Sequence, residues 1–293
     1  MKKVLFATTA LIATASVAAA EVSLSGYGRM GMRYNEVAAG SDQFVLYNRL
    51  RLQIDMSTEA DNGMVFGARL RSQQTSTGNA STAGGAFNAA RLFMQYNGFE
   101  LAIGNIQGAI EWMPNLYMPT QSAGLGLSGL SFTTLATNDA TGTWDWDAYS
   151  SGGNGSNQGI EAKYSGGAFA AHVSYSNRAS VERTAATVSY SMNDWTVALG
   201  LQESDQAAED LLIATVGGTI GNVTVRAAVA DNDGNTKVEL SGHFKVGAAT
   251  RIDAVVANDE TNDESFGLAV SHSLGGGVSL EAGVVRDHAD LVR

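Results

Sequence analysis

The sequence predicts an all-β chain: a transmembrane antiparallel β-barrel of about sixteen strands with one long loop folded inward. Three observations lead there. Apolar and polar residues alternate through one stretch after another, the period of two that sets them on opposite faces of a strand. These stretches are joined alternately by tight Gly- or Asn-rich turns and by longer polar segments. Nothing beyond the leader approaches the roughly eighteen apolar residues that a membrane helix requires.

The leader comes first. Lys2 and Lys3 form a basic end, residues 4–17 are mostly apolar, and Ala18-Ala19-Ala20 supplies small residues before Glu21. That is the pattern of an export signal over residues 1–20, which leaves 21–293 for the barrel. The first strand then sets Val22, Leu24, Met30, Met32 and Tyr34 on one face, and Ser23, Ser25, Tyr27, Arg29 and Arg33 on the other. The second sets Phe44, Leu46, Leu50, Leu52, Ile54 and Met56 against Tyr47, Arg49, Arg51, Gln53 and Asp55. The third opposes Met64, Phe66, Ala68 and Leu70 to Arg69, Arg71 and Gln73; the fourth opposes Leu92, Met94 and Tyr96 to Arg91, Phe93 and Gln95. The pattern returns at Val197-Leu199-Leu201, Val223-Val225-Ala227-Val229, Val238-Leu240-Phe244, Phe266-Leu268-Val270 and Val278-Leu280-Ala282-Val284. An arginine-bearing face needs water and the opposite face needs hydrocarbon, so lipid lies outside and water inside. Aromatic residues near strand ends, Phe99 and Trp195 directly after turns among them, suit the headgroup zone.

Seven short turns, such as Asn97-Gly98 and Gly275-Gly276-Gly277, supply the positive φ that tight hairpins demand. Eight polar segments lie between them: 35–43, 74–88, 105–158, 177–183, 202–209, 231–236, 258–264 and 286–290. Fifteen connections make sixteen strands. The segment 105–158 stands apart, because alternation fades there while both prolines, Pro114 and Pro119, and Trp112, Trp144 and Trp146 appear. A loop this long with three tryptophans is expected to be functional, its first half folded inward and packed on a wall.

Composition narrows the function classes. With 34 glycines, 2 prolines and no cysteine, an exported chain must hold itself by backbone pairing rather than by disulfides. A net charge of −11 disfavours nucleic acid as a partner. Gly124-Leu125-Gly126-Leu127-Ser128-Gly129 has dinucleotide-site spacing but no strand–helix frame, and reads as a tight loop path. Asp231-Asn232-Asp233-Gly234 places its glycine two positions early for a calcium loop. This turn and the acids Asp259, Glu260, Asp263 and Glu264 are read as solvated, with loosely bound divalent cations such as Ca2+ as the alternative. The four histidines lack metal spacing, no nucleophile stands out, and neither an enzyme nor a cofactor is expected.

The segments Leu24-Ser25-Gly26-Tyr27-Gly28-Arg29-Met30-Gly31, Asn48-Arg49-Leu50-Arg51-Leu52, Ala90-Arg91-Leu92-Phe93 and Ile103-Gly104-Asn105 resemble general diffusion porins of Gram-negative bacteria, most closely those of Rhodobacter-type alphaproteobacteria. The resemblance implies a homotrimer of sixteen-stranded barrels in the outer membrane, in contact with lipid and lipopolysaccharide. It implies a third loop that narrows a water-filled pore for ions and small hydrophilic solutes. Carried onto this sequence, it makes Arg49 and Arg91 the constriction wall, with Arg29, Arg51, Arg69 and Arg71 as inward neighbours. The loop acids Glu111, Asp139, Asp145 and Asp147 stand opposite. Arginines of one parity on four successive strands also read on their own as a field-forming wall. Family members end in a strand closing on an aromatic residue, whereas Ala289-Asp290-Leu291-Val292-Arg293 stops short of one, so strand sixteen is expected as a stub. The competing reading is a barrel plugged by its third loop, with a structural or adhesive role.

Overall fold

The computed structural model describes residues 20–36, 43–77, 80–81, 85–117, 137–138, 143–144, 158–178, 180–260 and 264–286. Its strands in chain order are β1 (Glu21–Asn35), β2 (Gln43–Glu59), β3 (Val65–Thr77), β4 (Ala80–Ser81), β5 (Arg91–Tyr96), β6 (Phe99–Asn105), β7 (Thr137–Asn138), β8 (Thr143–Trp144) and β9 (Gln158–Gly166). They continue as β10 (Phe169–Arg178), β11 (Val181–Met192), β12 (Trp195–Ser204), β13 (Leu211–Ile220), β14 (Val223–Asn232), β15 (Asn235–Val246), β16 (Thr250–Asp259), β17 (Ser265–Gly275) and β18 (Val278–Arg286). The sheet runs β1-β2-β3-β5-β6 and then β9 to β18 in sequence order; β4 pairs only with β3, and β7 with β8 form a separate ribbon. Every pairing on this path is antiparallel. Its members match the first fifteen strands expected from the sequence one for one. The sixteenth, at residues 291–293, lies outside the described residues.

Parity decides the faces. Met30 is 89% exposed, Leu24 68% and Leu50 65%, while the inward residues Tyr47, Arg91 and Glu161 are buried. Exposed large apolar side chains on every strand of the main path are untenable in water and match a hydrocarbon surround. A single sheet with one face buried and the other apolar and exposed is a rolled sheet. Aromatic rings gather towards the two ends of the outer face. Phe99 and Tyr164 stack at 4.6 Å by the turns, and Tyr34 and Phe44 at 5.3 Å by the loops.

Asn97 and Gly98 both have positive φ (46° and 81°), the backbone that lets a two-residue hairpin follow strand twist. The same chemistry corrects one expectation. Residues 231–236 read as a long polar loop, but Asp233 and Gly234 adopt φ of 51° and 87°, so β14 and β15 pair up to Asn232 and Asn235. The polar segment 177–183 is likewise mostly ladder, with β10 reaching Arg178 and β11 starting at Val181. Polarity marks where a strand leaves hydrocarbon, not where its hydrogen bonds stop.

The rolled-sheet assignment is checked by single cysteines carrying a spin label in liposomes. At Arg49→Cys the label meets a water-soluble quencher; at Leu50→Cys it meets only a lipid-soluble one.

Candidate functional site

Strand register places the arginines. Arg29 lies opposite Arg49, Tyr27 opposite Arg51, Gln53 opposite Arg71, and Asp55 opposite Arg69. Like charges directly across a ladder repel, so each guanidinium has its own support. Arg29 donates to the Tyr47 hydroxyl and lies 5.0 Å from that ring's centroid, with Arg33 at 5.9 Å. Arg49 Nε donates to Thr75 Oγ1 at 3.0 Å, and Arg51 Nε to Gln73 Oε1 at 2.8 Å. Arg71 Nε donates to Gln53 Oε1 at 2.6 Å, and Arg69 pairs with Asp55 at 2.6 Å. These partners of Arg49 and Arg51 are neutral, and both side chains are half-buried rather than sealed. Five partly exposed arginines therefore form a positively charged wall across β1, β2 and β3.

Arg91 belongs elsewhere. It lies opposite Arg69 but is only 3% exposed, and its guanidinium is held by Glu161 and Glu100. Glu161 is the hub of this second group. Its Oε1 accepts from Arg91 Nε at 2.7 Å, and its Oε2 from the backbone N–H groups of Gln107 and Gly108 at 3.0 and 3.2 Å, with His172 Nε2 at 2.9 Å. Lys163 stands 3.8 Å from the same carboxylate, donates to Gln107 Oε1 and lies 5.2 Å from the Trp112 ring centroid. None of these partners of Arg91 was read as functional in the sequence. The available signal was acids and a lysine at inward parity on β6 and β9, where the arginine wall ends.

The segment after β6 turns inward. Asn105 N donates to Ala90 O at 3.0 Å, Gly108 takes φ of 73°, and a short turn follows with Met113 N donating to Ile110 O at 3.0 Å. Ala109, Ile110, Met113 and Leu116, at helical spacing, become one buried face. They pack on Ala185, Ala198, Leu211, Ile213, Ala228 and Ala230 of β11 to β14. This part of the inner wall is small and apolar. A Cβ added at Gly200 would stand 3.0 Å from Ile110 Cδ1, and one at Gly217 would stand 2.3 Å from Asn115 Oδ1. Polar fasteners complete the contact: Thr215 Oγ1 donates to Pro114 O at 2.9 Å, and Asn115 Nδ2 to Thr196 O at 3.1 Å. The expected inward packing is thus present over residues 105–117, on the wall away from the arginines; the remainder of the loop's first half lies outside the described residues.

Glu111, Trp112 and Tyr117 occupy the other side of this segment. Tyr117 donates to Glu111 Oε2 at 2.6 Å, and burial beside that carboxylate raises the tyrosine pKa well above its ordinary range. Asp139, Asp145 and Asp147 lie outside the described residues, as does the glycine motif at 124–129. At the loop end, Asp231 accepts from Gly234 N at 3.1 Å and Glu260 from Thr236 N at 3.3 Å, so both acids are engaged in turn geometry. Among the described residues no three His, Asp or Glu side chains converge as a metal site would require.

A model of the Gram-negative porin family matches residues 7–290. A porin of Fuscovulum blasticum is 37% identical over 130 residues, which is 43% of this chain and 44% of that protein, so the match spans less than half of that relative. Among solved structures, a variant of the Rh. blastica porin superposes with a TM-score of 0.78 at 24% identity, covering 93% of this chain and 96% of that one. A structure described under asymmetric conductivity of engineered proteins gives 0.77 at 25% identity with the same coverage.

Crowding the wall under the loop gives a direct check. Gly200→Leu forces Ile110 off its seat at a cost of ~1–3 kcal/mol, the usual penalty of overpacking. Limited proteolysis in detergent then cuts the variant within 105–117, while the parent stays intact there.

Proposed function

We propose that this chain, which belongs to the Gram-negative porin family, forms a water-filled channel in the outer membrane through which ions and small hydrophilic solutes diffuse down their gradients. The observation that carries this reading is the interior itself. A hydrated arginine wall on β1 to β3 faces a lumen whose opposite wall carries the inward loop, while the outside is apolar on every strand. Residues 109–116 of the loop pack on β11 to β14, which supports an open bore over a plugged one. The channel works as a homotrimer among outer-membrane lipid and lipopolysaccharide, the part of the reading that rests on resemblance.

Passage is governed by size and by charge. Where the loop narrows the lumen, a solute keeps its hydration or exchanges it for wall groups; an apolar or bulky one does neither. Arg49 and Arg51, with Arg29, Arg69 and Arg71 beside them, supply the positive side of a transverse field. Glu111 supplies the negative side, and Asp139, Asp145 and Asp147 carry the loop's further charge. Low-dielectric walls focus such a field, and dipolar solutes align in it as they pass. Arg91, enclosed by Glu161 and Glu100, contributes through the loop's seat rather than through the field. No catalytic step enters this reading.

Planar-bilayer recording tests both parts. Stable conductance steps support the channel; a plugged structural barrel gives none. In Arg49→Gln with Arg51→Gln two charges are lost, and a unit charge at a separation of about 8 Å is worth ~0.5 kcal/mol in water before screening. Cation-over-anion permeability from reversal potentials rises about two- to fivefold in dilute salt. The shift shrinks towards 1 M, where the Debye length is only about 3 Å. An unchanged reversal potential removes the arginine wall from the selectivity mechanism.

A further inference from the structure

After β6 the chain has left the ladder, and the N–H groups of Gln107, Gly108 and Ala109 have no strand to pair with. They are met from the wall instead. Gln107 and Gly108 donate to one oxygen of Glu161, and Ala109 donates to Ser174 Oγ at 2.9 Å. Gly108 at φ of 73° turns successive N–H groups towards a common point, the concave backbone arrangement that holds anions. The anion here is a protein side chain with no exposed surface, set on β9 and approached by Arg91, Lys163 and His172. Three cationic or polar side chains and two backbone donors converge on one carboxylate, while Glu100 shares the Arg91 guanidinium.

We propose that Glu161 is the positioning residue of the channel: it latches the root of the inward loop to β9 and so keeps the bore at one width. The proposal rests on the channel reading above. The apolar face of 109–116 fastens the loop further along, but its direction is decided at its root, where a chain that has left the ladder can stand up on the rim or lie down in the lumen. A buried carboxylate that accepts consecutive N–H groups from the root favours the second. Charge-assisted hydrogen bonds are the strong class, and this carboxylate takes them from wall and loop at once. Glu161 touches no permeating solute; it acts through the loop.

Single-channel recording of the full-length protein in planar bilayers decides the matter. In Glu161→Leu the frequency of transitions to lower-conductance levels rises at least about tenfold, the loss expected of a single hydrogen bond to a charged group. Glu161→Gln, which keeps an oxygen acceptor but not the charge, falls between. The chain has no cysteine, so Ala109→Cys with Ser174→Cys gives one disulfide across the latch. Placed in the Glu161→Leu background it restores quiet channels, and adding reductant brings the transitions back, which a merely structural role would not do. Should Glu161→Leu not fold, as judged by its gel shift on boiling, the Gln variant carries the same comparison. Quiet openings in the charge-free variants, or noise that persists under the cross-link, overturn the latch while leaving the channel intact. A parent protein without any steps overturns the channel reading and the latch with it.

Discussion

In hydrocarbon an unpaired peptide group costs several kcal/mol, and the rest of this structure follows from that one constraint. Each strand between β1 and β18 on the main path gives its N–H and C=O groups to the path neighbours before and after it, and the path never crosses itself. With the backbone satisfied by pairing, the outward side chains are released to be apolar. The inward ones are left with water, and only there can arginines on three neighbouring strands stand side by side without a carboxylate for each.

The interior is not uniform around its circumference. One arc is long, charged and hydrated; the arc across from it is built of alanine and glycine and takes an apolar segment of the same chain. Between them sits the Arg91, Glu161, Glu100, Lys163 and His172 group, where the sheet passes from one character to the other. Its charges are enclosed and mutually compensated, which is how a dense ionic cluster survives next to a lumen.

Much of this was legible beforehand. Period-two alternation marked nine strands of the main path, because one face meets lipid and the other water along the whole length, and the spacing of turns and polar segments placed the other six. Asn97-Gly98 gave its turn through backbone chemistry alone. The arginines of β1 to β3 were legible because parity suffices to place them. Arg91 has the same parity, but its surroundings come from β6 and β9 and from the loop root, and such partners are set by three-dimensional approach. The polar segments 177–183 and 231–236 misled for a related reason: side chains report their solvent, and ladders continue into water. The buried face at Ala109, Ile110, Met113 and Leu116 is built on eight residues of successive turns, broken by a positive φ at Asn115, too short and irregular to stand out within a segment of broken alternation.

The glycines and alanines under the loop have one more implication. On the channel reading proposed above, they set how high residues 109–116 ride above β11 to β14, and therefore the calibre of the passage, while sign and strength of charge reside on the far arc. Aperture and polarity are thus encoded on separate strands, and a lineage or a designer can retune either dial and leave its counterpart where it was.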